Sequence, residues 1–316
     1  KDLAKGSDAL AVDIVLPGLE NQHSLINGGG NCVLTAAYGQ GLLSLPDMYA
    51  MKIIYGPRAK NAGISIENTV RKNIGLYSNA SGKPVNQIKV IVLDRPRHKE
   101  LIEDLKAAGL NEENIIMVKD DDLTSVIAVM LGNTIDMVYG VGGTPELIAA
   151  AIIARSLGGD VSWRLVPDEA EYYGDMVKSR SNWDNFSKSR EDILRNFGIL
   201  RPGSPDTANS VRRWSDTGCA GDLVFGDDFF FTACAITDWD VQSWDIEGYT
   251  KIAGVSRPDK DKDGDVCAHI LQIGASGEVK VLKVTYATAI GIYKRAPNSR
   301  LSLTRLAIEY AEYGMI

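Results

Sequence analysis

The chain has 316 residues, of which 45% are hydrophobic and 24% charged, with a formal net charge of −7. These values allow a large core, in one domain or two lobes, and the acid excess argues against a general nucleic-acid surface, which would need basic patches. No apolar run reaches bilayer-spanning length and no signal-peptide pattern is present.

In chain order, an apolar strand is predicted over Ala11–Leu16, followed by Gly28-Gly29-Gly30. No Lys-Ser/Thr follows these glycines, so they suit a hairpin turn and not a Walker loop. Strands near Asn31–Tyr38 and Met51–Tyr55 fit antiparallel pairing, and a helix is predicted near Ile66–Tyr77. From Gln87 to Trp163 strands alternate with helices. Ile88–Leu93 leads to Lys99–Ala108, Ile115–Val118 to Leu123–Met130, and Ile135–Tyr139 to Glu146–Ser156. This is a βα pattern around a parallel sheet.

Further on, Val166–Asn196 is polar and partly helical in pattern. Basic residues between Lys178 and Arg213 are interrupted by acids, as on a solvated helix face. Leu223–Phe225 and Phe229–Ile236 read as strands. Asp259, Asp261 and Asp263 mimic half of a calcium loop, but Ile270 takes the place of the closing acid, so a turn is predicted. Val266–Ile273 and Glu278–Tyr286 form a hairpin, and Leu301–Met315 has helical spacing suited to packing on a partner. Three segments follow: an N-terminal lobe at 1–80, an α/β lobe at 81–165, and connecting helices, C-terminal strands and a terminal helix at 166–316.

Cys32, Cys219, Cys234 and Cys267 show neither CxxC nor zinc spacing, which predicts reduced thiols. His23, His98 and His269 have no partners at ligand spacing and are read as structural or surface residues. Lys1 opens the chain, which fits a processed or truncated polypeptide.

The most informative segment is Tyr139-Gly-Val-Gly-Gly-Thr-Pro-Glu146. Gly140, Gly142 and Gly143 are expected to turn sharply and expose backbone N–H groups. Thr144 suits an N-cap, Pro145 the first helical position, and Glu146 the first turn. Such a helix start attracts phosphate, and its carboxylate suits a metal ion. Arg95, Asp120 and Gly142 all follow the carboxyl ends of predicted strands, where open α/β sheets bind ligands.

Together with Asp94-Arg-Pro-Arg-His-Lys-Glu-Leu-Ile102, Pro46-Asp-Met-Tyr49, Asp120-Asp-Asp122 and Ala11-Val-Asp-Ile14, this segment resembles the class II fructose-1,6-bisphosphatases, including the cyanobacterial fructose/sedoheptulose type. The resemblance implies a layered α/β sandwich of the sugar-phosphatase and inositol-monophosphatase superfamily. It implies sugar-phosphate contacts at Tyr49, Arg95, Arg97, Asp120, Asp122, Gly142 and Gly143, and metal ligands at Glu20 and Glu146. It also places Pro17 where the family has a metal-binding aspartate. Proline has no side-chain oxygen, and Asp13 lies too early in the strand to replace it. The family's upstream acidic segment does not lie within this chain, and Asp121 stands where the family has a glycine.

The resemblance therefore implies a bisphosphatase-like chain that has lost its metal-dependent phosphatase activity and serves as a structural or regulatory subunit of a larger assembly. The alternative is an active Mg- or Mn-dependent fructose-1,6-/sedoheptulose-1,7-bisphosphatase hydrolysing the C1 phosphate. No residue is singled out as catalytic. Mg or Mn is the expected cofactor if the chain is active, and none otherwise. Expected partners are proteins of the assembly and a sugar bisphosphate, with neither a membrane span nor nucleic acid. A soluble location follows, in a plastid or other organelle, or in prokaryotic cytoplasm.

Overall fold

A computed structural model describes residues 13–20, 32–43, 45, 49–119, 122–131, 135–166, 217–236, 259–260 and 266–285. The expectations for Gly28–Gly30, for the Lys178–Arg213 stretch and for Leu301–Met315 lie outside these residues.

Strands β1 (Asp13–Glu20), β2 (Val33–Gly39), β8 (Phe229–Ala235), β10 (Val266–Gly274) and β11 (Val279–Thr285) form one antiparallel sheet in that spatial order, and the two-residue β9 (Asp259–Lys260) pairs with β10. A second sheet has the order β5 (Ile115–Val118), β4 (Val90–Leu93), β6 (Met137–Gly143), β3 (Tyr49–Tyr55), β7 (Asp160–Leu165). β4 is parallel to β5 and β6, while β3 is antiparallel to β6 and β7. β2 and β3, expected to pair with each other, thus belong to different sheets. The predicted strand at Leu223–Phe225 is instead the end of a short helix, α5 (Ala220–Leu223), followed by a single bridge from Val224 to Leu42.

The layer between the sheets is helical. α4 (Thr144–Ser156) is apolar on every side, with Leu147 to Ala154 all buried. Such a helix must be covered all round. It packs on both sheets, and α3 (Asp122–Leu131) packs beside it. A second core cluster fills the far face of the second sheet, beneath α1 (Val70–Ser81) and α2 (Lys99–Ala108). Thr69 caps α1 by accepting the Lys72 N–H at 3.3 Å, and α1 and α2 stop at left-handed Gly82 and Gly109. The result is the layered α/β sandwich that the residue pattern and the resemblance predicted.

β1 lies at the edge of its sheet. Its register slips by one residue between Val15 and Gly18, with Gly18 at φ +94°. Pro17 stands inside this bulge. A proline lacks the N–H that a central strand needs, so an edge bulge is where one is tolerated.

One buried polar cluster anchors the start of β6. The Asp136 carboxylate, 2% exposed, accepts the Tyr77 hydroxyl at 2.8 Å, the Lys89 N–H at 2.8 Å and the Lys83 ammonium at 2.5 Å. Removing it takes the acceptor from all three donors. Asp136→Ala is expected to cost about 3 kcal/mol in urea unfolding.

Tyr55 and Tyr77 are both held well above the ordinary tyrosine range. Burial is the first cause, and Asp160 and Asp136 respectively add to it. In the unfolded chain these phenols ionise near pH 10. Their contribution is therefore complete below about pH 10 and is lost as pH rises toward the folded values. Urea midpoints are expected to fall on moving from about pH 8 to about pH 10.5, and a Tyr77→Phe variant is expected to show a smaller fall.

Candidate functional site

The carboxyl ends of β4, β5 and β6 share one rim of the second sheet, because these strands are parallel. The antiparallel β3 brings its first residue to the same rim, with Tyr49 directly opposite Gly143 and Ala50 opposite Gly142. Arg95 and Arg97 follow β4, and Glu146 follows β6. The fold thus gathers Tyr49, Arg95, Arg97, Gly142, Gly143 and Glu146 from separate stretches of sequence.

The glycines do not turn. They continue β6 as extended, mostly buried strand paired with β3, and the helix begins only after them. Gly143 is the N-cap of α4, so Thr144 and Pro145 are its first two residues and Glu146 the third. Antiparallel pairing with β3 supplies partners that the sequence alone does not show, and it overrides the turn tendency of glycine.

Two side chains of the segment after β4 complete this strand. β4 pairs with β6 only at Met137 and Val138. Beyond that point His98 and Arg97 engage the open edge. Val141 N–H donates to His98 Nε2 at 2.8 Å, and Arg97 Nη2 donates to the Val141 carbonyl at 3.0 Å. His98 Nδ1 lies 2.7 Å from the Leu93 carbonyl. That contact requires the proton on Nδ1, leaving Nε2 as acceptor, so the ring is the neutral tautomer. A 1% exposed imidazole thereby bridges two strands that have separated. A Cβ on Gly140, at φ +154°, would lie 2.9 Å from His98 Nε2, so glycine is needed there.

Arg97 also lies over the Tyr49 ring, its guanidinium carbon 5.0 Å from the centroid. Arg97 is therefore a preorganised cation, held between an aromatic face and a carbonyl. Arg95 lies beside it, with Nη1 3.1 Å from the Asp94 carbonyl. The Asp94 N–H donates to the Val118 carbonyl at 2.7 Å, tying this loop to the end of β5.

The Glu146 carboxylate folds back over the start of its own helix and occupies the space where a Gly143 side chain would stand. A carboxylate in the first helical turn is favoured by the helix dipole. Glu20 closes β1 in the other sheet, opposite Val33. Asp120 and the Asp122 side chain lie outside the described residues, although Asp122 opens α3. Asp13 is engaged elsewhere, its carboxylate accepting the Gly41 and Leu42 N–H groups at 3.0 and 2.9 Å. Among the described residues no three carboxylate, histidine or cysteine side chains converge as a metal site.

Two features escaped the sequence reading. His98 was read as a structural or surface residue; at 1% exposed it is structural, and its bridging position was not visible. Lys52 is 2% exposed on β3, on the same inward face as Ala50 and Ile54. Its one signal was a lysine at an inward position of an apolar strand.

Comparison with known proteins gives this chain a family. A family profile described as bacterial fructose-1,6-bisphosphatase, glpX-encoded, matches residues 2–243. The chain belongs to this family. It is 28% identical over 240 residues to the D-fructose 1,6-bisphosphatase class 2/sedoheptulose 1,7-bisphosphatase of Trichodesmium erythraeum, an alignment covering 75% of this chain and 63% of that protein. It is 28% identical over 251 residues to fructose-1,6-bisphosphatase 1 class 2 of Escherichia coli, covering 78% and 66%. Against the class 2 enzyme of Haemophilus influenzae it is 29% identical over 235 residues, covering 73% and 63%. The chain thus spans just under two thirds of the curated relatives it matches. No helix among the described residues is long and apolar enough to cross a membrane.

His98→Ala is expected to lower stability by about 3 kcal/mol, since it leaves the buried Val141 N–H and Leu93 carbonyl without their partner. His98→Gln, which retains a donor and an acceptor, is expected to recover part of the loss. Chemical denaturation of the three proteins measures both effects.

Proposed function

We propose that this family member retains a sugar-phosphate-binding rim while its metal-dependent hydrolysis is lost, and that it serves as a structural or regulatory subunit of a larger assembly. The carrying observation is Pro17. At the position the resemblance assigns to a metal-binding aspartate stands a residue with no side-chain oxygen, built into an edge-strand bulge.

The retained function rests on the rim. Arg97, fixed by the Tyr49 ring and the Val141 carbonyl, presents a planar cation suited to phosphate, and Arg95 adds a second. The start of α4 contributes the positive end of its dipole. Glu146 acts against an anion at the same place. The resemblance implies Mg or Mn as the group that neutralises such a carboxylate. Among the described residues no set of side chains completes a site for that ion.

Two measurements test this. The purified chain, with fructose-1,6-bisphosphate and Mg or Mn, is expected to turn over far below the ordinary enzyme range of about 1–1000 per second. Turnover within that range would show that the chain is the active bisphosphatase. Glu146→Gln separates the readings by binding. Without a bound cation the substitution removes a repulsive charge and is expected to tighten fructose-1,6-bisphosphate binding several-fold in calorimetry. In an enzyme whose substrate meets a Glu146-bound metal, the same change weakens binding and abolishes its dependence on Mn.

A further inference from the structure

His98 is held through its two ring nitrogens in opposite senses. Nδ1 donates to the Leu93 carbonyl at 2.7 Å, and Nε2 accepts the Val141 N–H at 2.8 Å. An imidazolium carries N–H on both nitrogens and has no acceptor left. A proton on Nε2 would set two donors head to head, and the ring, 1% exposed, is too buried for bulk water to relieve them. Basic neighbours act in the same direction. Arg97 adjoins the ring in the chain, with Arg95 on the same loop, and Lys52, 2% exposed, stands on β3 directly opposite Gly140, whose missing side chain makes room for the ring. Positive charge nearby disfavours a further one. On the adjoining segments the acids Asp94, Glu100, Glu103 and Asp104 are exposed, as is Lys99. The Tyr139 hydroxyl of β6 is engaged by Asn73 of α1. Asp122, the one charged residue of α3, opens that helix. Glu146 of α4 covers Gly143, three residues or about 10 Å further along β6.

We propose that His98 is a proton-sensitive latch on the rim, which opens when Nε2 takes up a proton from solvent. Val141 is gripped at both ends of one residue, its N–H by His98 and its carbonyl by Arg97 at 3.0 Å. Past Val138 no β4 residue pairs with β6 to hold it in their place. Loss of the first grip therefore frees the carbonyl that fixes Arg97, and with it the placement of the guanidinium over the Tyr49 ring. The sign follows from which form can bind the proton. A released imidazole titrates near pH 6.5, while the latched ring stays neutral. The latch is thus complete above about pH 6.5 and is lost as pH falls below it. Its consequence for ligands rests on the sugar-phosphate reading proposed above. An anion held by Arg97 selects the closed latch, so acid weakens its binding, and its binding in turn expels the proton.

The experiment follows hydrogen exchange of the Val141 amide by NMR in the full chain at pH 7 and pH 5. Each rate is expressed relative to an unstructured amide at the same pH, with the amides of β4 as the baseline for general loosening. In the wild type, Val141 protection is expected to fall about 25-fold more than the baseline, the ratio set by protonation of a released imidazole between those two pH values. Spectra of ring-labelled histidine are expected to show the second proton arriving on His98 over the same range. His98→Gln, which cannot take up that proton, is expected to show no such fall. Val141 protection that is independent of pH, or that falls equally in His98→Gln, would overturn the latch. So would a protonated His98 ring with Val141 still protected, a result read from the wild type alone if the variant does not fold. Calorimetry with fructose-1,6-bisphosphate on both proteins tests the coupling, since the ionisation of the ligand is common to them. The wild type is expected to lose several-fold more affinity than His98→Gln between pH 7 and pH 5, and identical losses would overturn the coupling to the rim. Absence of binding by either protein at pH 7 would instead refute the sugar-phosphate reading, with the latch still decided by the exchange of Val141.

Discussion

The candidate site depends on how the end of β6 is held. Past Val138 this strand loses its parallel neighbour, and an unsupported glycine-rich segment would have many conformations open to it. Pairing with β3 on one side holds it extended, and the His98 imidazole with the Arg97 guanidinium takes the place of β4 on the other. Only then does α4 start at a defined point, with Glu146 over its first turn and Tyr49 across from Gly143. The glycines are required by close approach: Gly140 admits the His98 ring and Gly143 admits the Glu146 carboxylate.

Under the proposed function this arrangement couples stability to recognition. Arg97 supports the strand and also faces the rim, and the same contact with Tyr49 orders both. α4, apolar all round, locks the rim to the body by packing between the sheets. Under the proposed function, a rigid scaffold with the helix start at its edge holds an anionic sugar ester. Chemistry on that ester is a separate requirement, and it depends on the number of hard oxygen donors nearby. In this chain the strand that the resemblance makes a donor carries Pro17 in a bulge.

Several particulars were legible beforehand. The helix at Lys99–Ala108 and the C-terminal hairpin follow from apolar spacing and from glycine stops, which are local effects. Convergence of Arg95 and Gly142 on one rim followed from the βα pattern, since parallel strands end on one side. The glycine turn was misjudged because a local propensity was overruled by a partner strand about ninety residues away in sequence (Tyr49 against Gly143). β2 and β3 were grouped together for a similar reason: sequence proximity says little about which sheet a strand joins.

By itself the sequence determined the layered α/β class, the family resemblance, and a proline at position 17 of the first strand. These rest on residue identity and short-range periodicity, which hold before any two distant segments meet. Tertiary structure alone decided that the glycines run straight, that His98 is a neutral bridge between separated strands, and that Arg97 is clamped by Tyr49. Each of these is a relation between residues far apart in the chain, so it exists only once the sheets have assembled.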